Sequence, residues 1–91
     1  MKIYDYNGSS NIISERLKIA RVKNNLSQRQ LAEKMNTHQI TMNQKVISRI
    51  ENGERFVADF ELLAFSRILD VSLYWLFGID NYVHSVMPES W

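Results

Sequence analysis

The chain has 91 residues, 45% apolar and 23% charged, with a formal net charge of +1; this is the make-up of one small globular domain, too apolar for a disordered tail and too short for a barrel or doubly wound enzyme. Cysteine is absent, which excludes disulfides, thiolate metal sites, iron–sulfur clusters and thiol catalysis and fits a reducing cytoplasm. No apolar run approaches the roughly 20 residues of a membrane span, and Met1-Lys2-Ile3-Tyr4-Asp5 lacks the apolar stretch of a secretory signal, so a cytoplasmic protein without a membrane partner is expected.

Residues 1–11 read as a flexible polar lead-in, with Asn7-Gly8-Ser9-Ser10-Asn11 at its centre. A first helix is predicted over residues 12–24, where Ile13, Leu17 and Ala20 recur on one face. Asn24-Asn25 ends it and Leu26 enters the core. A second helix is predicted over residues 28–35, with Ser27 as N-cap and Gln30 completing a capping box. Leu31, Ala32 and Met35 form its inner face.

A polar connection, Asn36-Thr37-His38-Gln39-Ile40-Thr41-Met42, leads to a third helix that ends near Asn52 with Gly53 as its left-handed C′ residue. Phe56 is expected to tuck inward from the loop that follows. Asp59 caps a fourth helix with an inner face of Phe60, Leu63, Ala64 and Ile68. Ser72 caps a short fifth helix that Gly78 stops. No strand-like alternation or hairpin dipeptide stands out, and residues 79–91 show no clear period. The expectation is an all-α, compact five-helix domain over residues 12–78.

Charge is distributed unevenly. Residues 16–55 carry Arg16, Lys18, Arg21, Lys23, Arg29, Lys34, Lys45, Arg49 and Arg55 against Glu33, Glu51 and Glu54, a sum of +6, while residues 56–91 sum to −4. A basic middle beside an acidic end suits a face that binds a polyanion.

The third helix sharpens this reading. At about 100° per residue, Val46, Ile47 and Ile50 form one apolar stripe, and Gln44, Lys45, Ser48, Arg49 and Asn52 lie opposite it without an acid among them. Arg, Lys, Gln and Ser are the types that read base edges in a major groove. Glu51 borders the apolar stripe, so burial would require a cation, and Arg21 on the first helix is the candidate.

No nucleophile–base set or metal-ligand cluster is visible, so no catalytic residue, metal or cofactor is assigned. Asp59, Glu61 and Asp70 read as a helix cap and exposed positions. His38 and His84 read as solvated. Met35, Phe60, Phe65, Tyr74, Trp75 and Phe77 read as core.

The segments Leu26-Ser27-Gln28-Arg29-Gln30-Leu31-Ala32-Glu33-Lys34-Met35 and Val46-Ile47-Ser48-Arg49-Ile50-Glu51-Asn52-Gly53-Glu54-Arg55 resemble the Cro/repressor-type (XRE-like) helix-turn-helix, and the run from Leu69 to Gly78 resembles that family's closing helix. The resemblance implies a lambda-repressor-like fold that binds double-stranded DNA through its third helix. It places Gln44, Lys45, Ser48 and Arg49 at base contacts and Gln28, Asn43, Asn52 and Arg55 at backbone contacts. It also makes Arg21 and Glu51 a structural ion pair.

One departure stands out. Relative to the common pattern, about five extra residues lie near positions 37–41. They leave two starts for the third helix, Thr41 or Asn43 as N-cap; the alignment favours Asn43. The function expected is a sequence-specific transcriptional regulator, a repressor acting as a homodimer on a two-fold operator, with half-sites about 34 Å apart and no small-molecule ligand. The alternative is a protein-interaction module, such as an antitoxin or docking domain, on the same fold. Dimer contacts are expected from Tyr74, Trp75, Tyr82, Val86 and Trp91.

Overall fold

Five helices form where apolar residues recur at helical spacing: α1 (Ser14–Lys23), α2 (Gln28–Thr37), α3 (Gln44–Glu51), α4 (Asp59–Leu69) and α5 (Leu73–Phe77). They belong to a computed structural model that describes residues 5–79. Among the described residues there is no strand, and no helix is long and apolar enough to cross a membrane. The core takes Ile13, Leu17 and Ala20 from α1, Leu31, Ala32 and Met35 from α2, and Ile47 and Ile50 from α3. Ala64, Phe65 and Leu69 from α4, Leu76 from α5 and Met42 from the α2–α3 turn complete it.

Helix starts follow local side-chain chemistry. Ser27 Oγ accepts from the Gln30 N–H (3.0 Å) and Gln30 Oε1 accepts from the Ser27 N–H (2.8 Å), a reciprocal capping box. Ser72 Oγ accepts from the Trp75 N–H (3.0 Å). The fourth helix corrects the expectation. Its N-cap is Ala58, not Asp59, and Glu61 Oε1 accepts from the Ala58 N–H (2.9 Å).

The phase of α4 differs as well. Phe60 and Leu63 are exposed at 60% and 41%, whereas Phe65 is wholly buried and Glu61 is only 5% exposed. Glu61 faces inward because Arg55 meets it with two hydrogen bonds, Nη1 to Oε1 at 2.9 Å and Nη2 to Oε2 at 3.1 Å. Phe56, expected inside, is 43% exposed with the Arg55 guanidinium 5.3 Å from its ring centre; Val57 packs against the core instead.

Helix ends share one device. Asn25, Gln39, Gly53, Asp70 and Gly78, one or two residues beyond the helix ends, have positive φ. After α2, the Gln39 N–H donates to Asn36 O (2.9 Å) and the Ile40 N–H to Met35 O (3.1 Å), which satisfies carbonyls the helix leaves open. Gln39→Gly is expected to stabilise the domain by about 0.5–1 kcal/mol, since a β-carbon in this region costs roughly 1–2 kcal/mol and glycine's freedom when unfolded offsets part of it. Denaturant midpoints check this, and a lower midpoint would contradict it.

Residues 5–11, expected as a flexible lead-in, have a defined place in the fold. Asn7 and Gly8 both have positive φ, and Tyr6 and Ser9 exchange backbone hydrogen bonds at 2.7 and 3.0 Å across them. This is the tight turn that an Asn-Gly pair favours, and it replaces the flexible stretch expected there. The turn leads into a strap against the end of α3, where the Ser10 N–H donates to Gly53 O (2.7 Å). Residues 80–91, including Tyr82, Val86, Trp91 and most of the expected tail, lie outside the described residues.

Candidate nucleic-acid interface

The third helix begins at Asn43, as favoured: Asn43 Oδ1 accepts from the Val46 N–H (3.0 Å). Met42, just before the helix, is buried in the same core cluster as Ile47. With Ile47 and Ile50 fully buried, the opposite face is set by geometry. Gln44, Lys45, Arg49 and Asn52 are exposed and Ser48 is half-buried. Among the described residues, the side chains of Gln44, Lys45, Ser48 and Arg49 make no hydrogen bond, ion pair or ring contact. Their donors face solvent.

The helix is anchored from behind. Glu51, with a side chain 3% exposed, accepts from Arg21 Nε at 2.6 Å and Arg21 Nη2 at 3.1 Å. Arg21 Nη1 also donates to Leu26 O (2.8 Å) in the α1–α2 connection. The expected ion pair is present, and it joins three segments. Gln28 Nε2 adds a further hydrogen bond to Glu51 Oε1 (3.1 Å). Gln28 stands at the first turn of α2, whose amides lack intrahelical acceptors, with its side chain held by Glu51.

Arg55 is likewise committed within the fold. It pairs with Glu61 and donates from Nη1 to Phe56 O (3.0 Å). Of the basic residues between 16 and 55, then, Arg21 and Arg55 serve internal carboxylates. Arg16 lies on the Trp75 ring at 4.8 Å and donates to Trp75 O (3.1 Å), while Lys45 and Arg49 face outward.

The long α2–α3 turn is held at both ends. Asn36 Nδ2 donates to Ala32 O (3.0 Å) and Met42 O (3.1 Å), and Asn36 Oδ1 accepts from the Met42 N–H (3.3 Å). Ile40 and Met42 pack on the core, leaving His38, Gln39 and Thr41 exposed beside the start of α3. The extra residues thus extend α2 to Thr37 and form an anchored turn without displacing α3 from the core.

Sequence reasoning missed Asn11 and Glu61. Asn11 lay in a stretch read as flexible. Glu61 carried one usable signal, its place three residues after Ala58, where a carboxylate reaches back to the cap.

An exposed donor face on a helix locked behind a preceding one defines a helix-turn-helix domain. The family model described as "Helix-turn-helix" matches residues 17–76. The chain belongs to this family, in its Cro/repressor (XRE) type, and is a DNA-binding regulator of that type. The family is one of regulatory DNA-binding domains, not of enzymes. No curated protein and no solved structure gave a match.

Proposed function

We propose that the protein is a sequence-specific transcriptional repressor that lays α3 in the major groove of a two-fold operator as a homodimer. Gln44, Lys45, Ser48 and Arg49 read bases. Asn43 and Asn52 at the ends of α3 contact the sugar–phosphate backbone, with Gln28 and Arg55 at its rim. The protein works in the cytoplasm and uses no cofactor or small-molecule ligand. The observation that carries this reading is the exposed donor face of Gln44, Lys45 and Arg49, on a helix whose other side buries Ile47 and Ile50 fully. A docking helix would present apolar anchors there instead.

A specific observation favours protein docking as the second reading. Tyr6, Ile12, Phe56 and Phe77 are exposed around one groove, and none of the outward α3 residues lines it. Tyr74, expected at a dimer contact, is 37% exposed, and Trp75 is half-buried.

Selection of bound sites from random duplexes tests the first reading. Enrichment of a two-fold sequence with half-sites about 34 Å apart is expected; recovery of no consensus would overturn it. On the preferred site, Arg49→Ala is expected to cost roughly 1–3 kcal/mol and to relax base choice. Equal weakening on every duplex, measured by fluorescence anisotropy, would make Arg49 a phosphate contact.

A further inference from the structure

One side-chain amide in the strap before α1 reaches both the end of α3 and the loop after it. Asn11 Nδ2 donates to Ile50 O (3.0 Å) and to Arg55 O (2.9 Å), and Asn11 Oδ1 accepts from the Ile13 N–H (3.0 Å). Both amide protons and the carbonyl are therefore used. Ile50 O, in the last turn of α3, also accepts from the Gly53 N–H (3.0 Å), so Asn11 is its second donor, and Ile50 lies between Arg49 and Glu51 on α3. Arg55 belongs to the loop that follows. One side chain thus joins the start of α1, the last turn of α3 and the outlet loop.

The strap is itself fixed in register. Ser9 Oγ donates to Asn11 O (2.6 Å), and the Ser10 N–H donates to Gly53 O (2.7 Å). Gly53 has φ +75°, and a β-carbon there would stand 2.6 Å from Ser9 Oγ. A side chain at position 53 would displace Ser9 Oγ and adopt a strained φ.

We propose that Asn11 is a positioning residue for duplex recognition: by holding the last turn of α3 and the outlet loop against α1, it sets the angle at which Arg49 and Asn52 meet the duplex. This rests on the DNA-binding reading above. Base readout depends on placement more steeply than phosphate attraction does, because bidentate hydrogen bonds are directional and the attraction to phosphate is not. Loss of Asn11 therefore acts first on discrimination between sequences.

The test measures the full chain by fluorescence anisotropy on the duplex enriched by selection and on a scrambled duplex of equal length. Asn11→Ala is expected to lower affinity for the enriched duplex about tenfold, the order of one mismatched base pair, and to leave the scrambled duplex nearly unchanged. Circular dichroism confirms the folded state at the assay temperature. A role in stability alone does not move the ratio of the two affinities while the protein is folded. A folded N11A with an unchanged ratio overturns the proposal. If N11A is unfolded at that temperature, Asn11→Ser, which keeps one donor and an acceptor, is read by the same ratio. Wild-type protein that fails to distinguish the two duplexes overturns the underlying DNA-binding reading, whereas wild-type discrimination that N11A retains overturns the role of Asn11 alone.

Discussion

Glu51→Ala is expected to destabilise the domain by about 3–5 kcal/mol, because it strands the Arg21 guanidinium in a buried site. Arg21 is only 9% exposed, and its remaining hydrogen bond goes to Leu26 O. A domain of this size is stable by roughly 5–13 kcal/mol, so the loss is a large share of the total. The melting temperature should fall on the order of 20 °C. Arg21→Ala strands the carboxylate instead and should cost a similar amount. The double variant should cost less than the sum of the two, since each single variant already removes the same contact. Thermal and denaturant unfolding of the three variants checks this; a cost below about 1 kcal/mol for Glu51→Ala would place the pair among weak surface bridges. The same pair anchors α3 to α1, so what stabilises the fold also presents the outward face.

Raising salt from 50 to 200 mM is expected to weaken duplex binding by about two orders of magnitude or more, which is a log–log slope of several units from released counterions. Lys45 and Arg49 face outward and are unpaired among the described residues, so their charges are free to neutralise phosphates, whereas the charges of Arg21 and Arg55 are balanced by Glu51 and Glu61. The slope should therefore be smaller than the basic count of the middle segment suggests. Anisotropy titrations across salt measure it. A salt-insensitive complex would contradict phosphate neutralisation and favour docking through the apolar groove at Tyr6 and Phe77.

The legibility of the chain followed its physics. The third helix could be read in advance because an unbroken apolar stripe opposes a wholly polar face, and one side must be buried. Ser27, Ser72, Gly53 and Gly78 announced helix ends by chemistry that works locally. Asn24-Asn25 also marked the end of the first helix, whereas Gln39 and Asp70, which take the left-handed position too, are residue types that occupy many conformations. The phase of α4 was misread because burial of Glu61 depends on Arg55 across a loop, a pairing that local periodicity does not encode. Asn11 was missed for a similar reason: its partners, Ile50 O and Arg55 O, are backbone atoms far along the chain. The donor face could be listed residue by residue, whereas the internal partners of Gln28 and Arg55 became visible only in three dimensions.

The surface that meets the duplex can be mapped directly by following backbone amide resonances while the selected duplex is added. The largest shifts should fall on Gln44 through Asn52 and on the first turn of α2 at Gln28, with Ile12 and Phe77 little changed. Shifts centred on Tyr6, Phe56 and Phe77, with α3 unmoved, would contradict it.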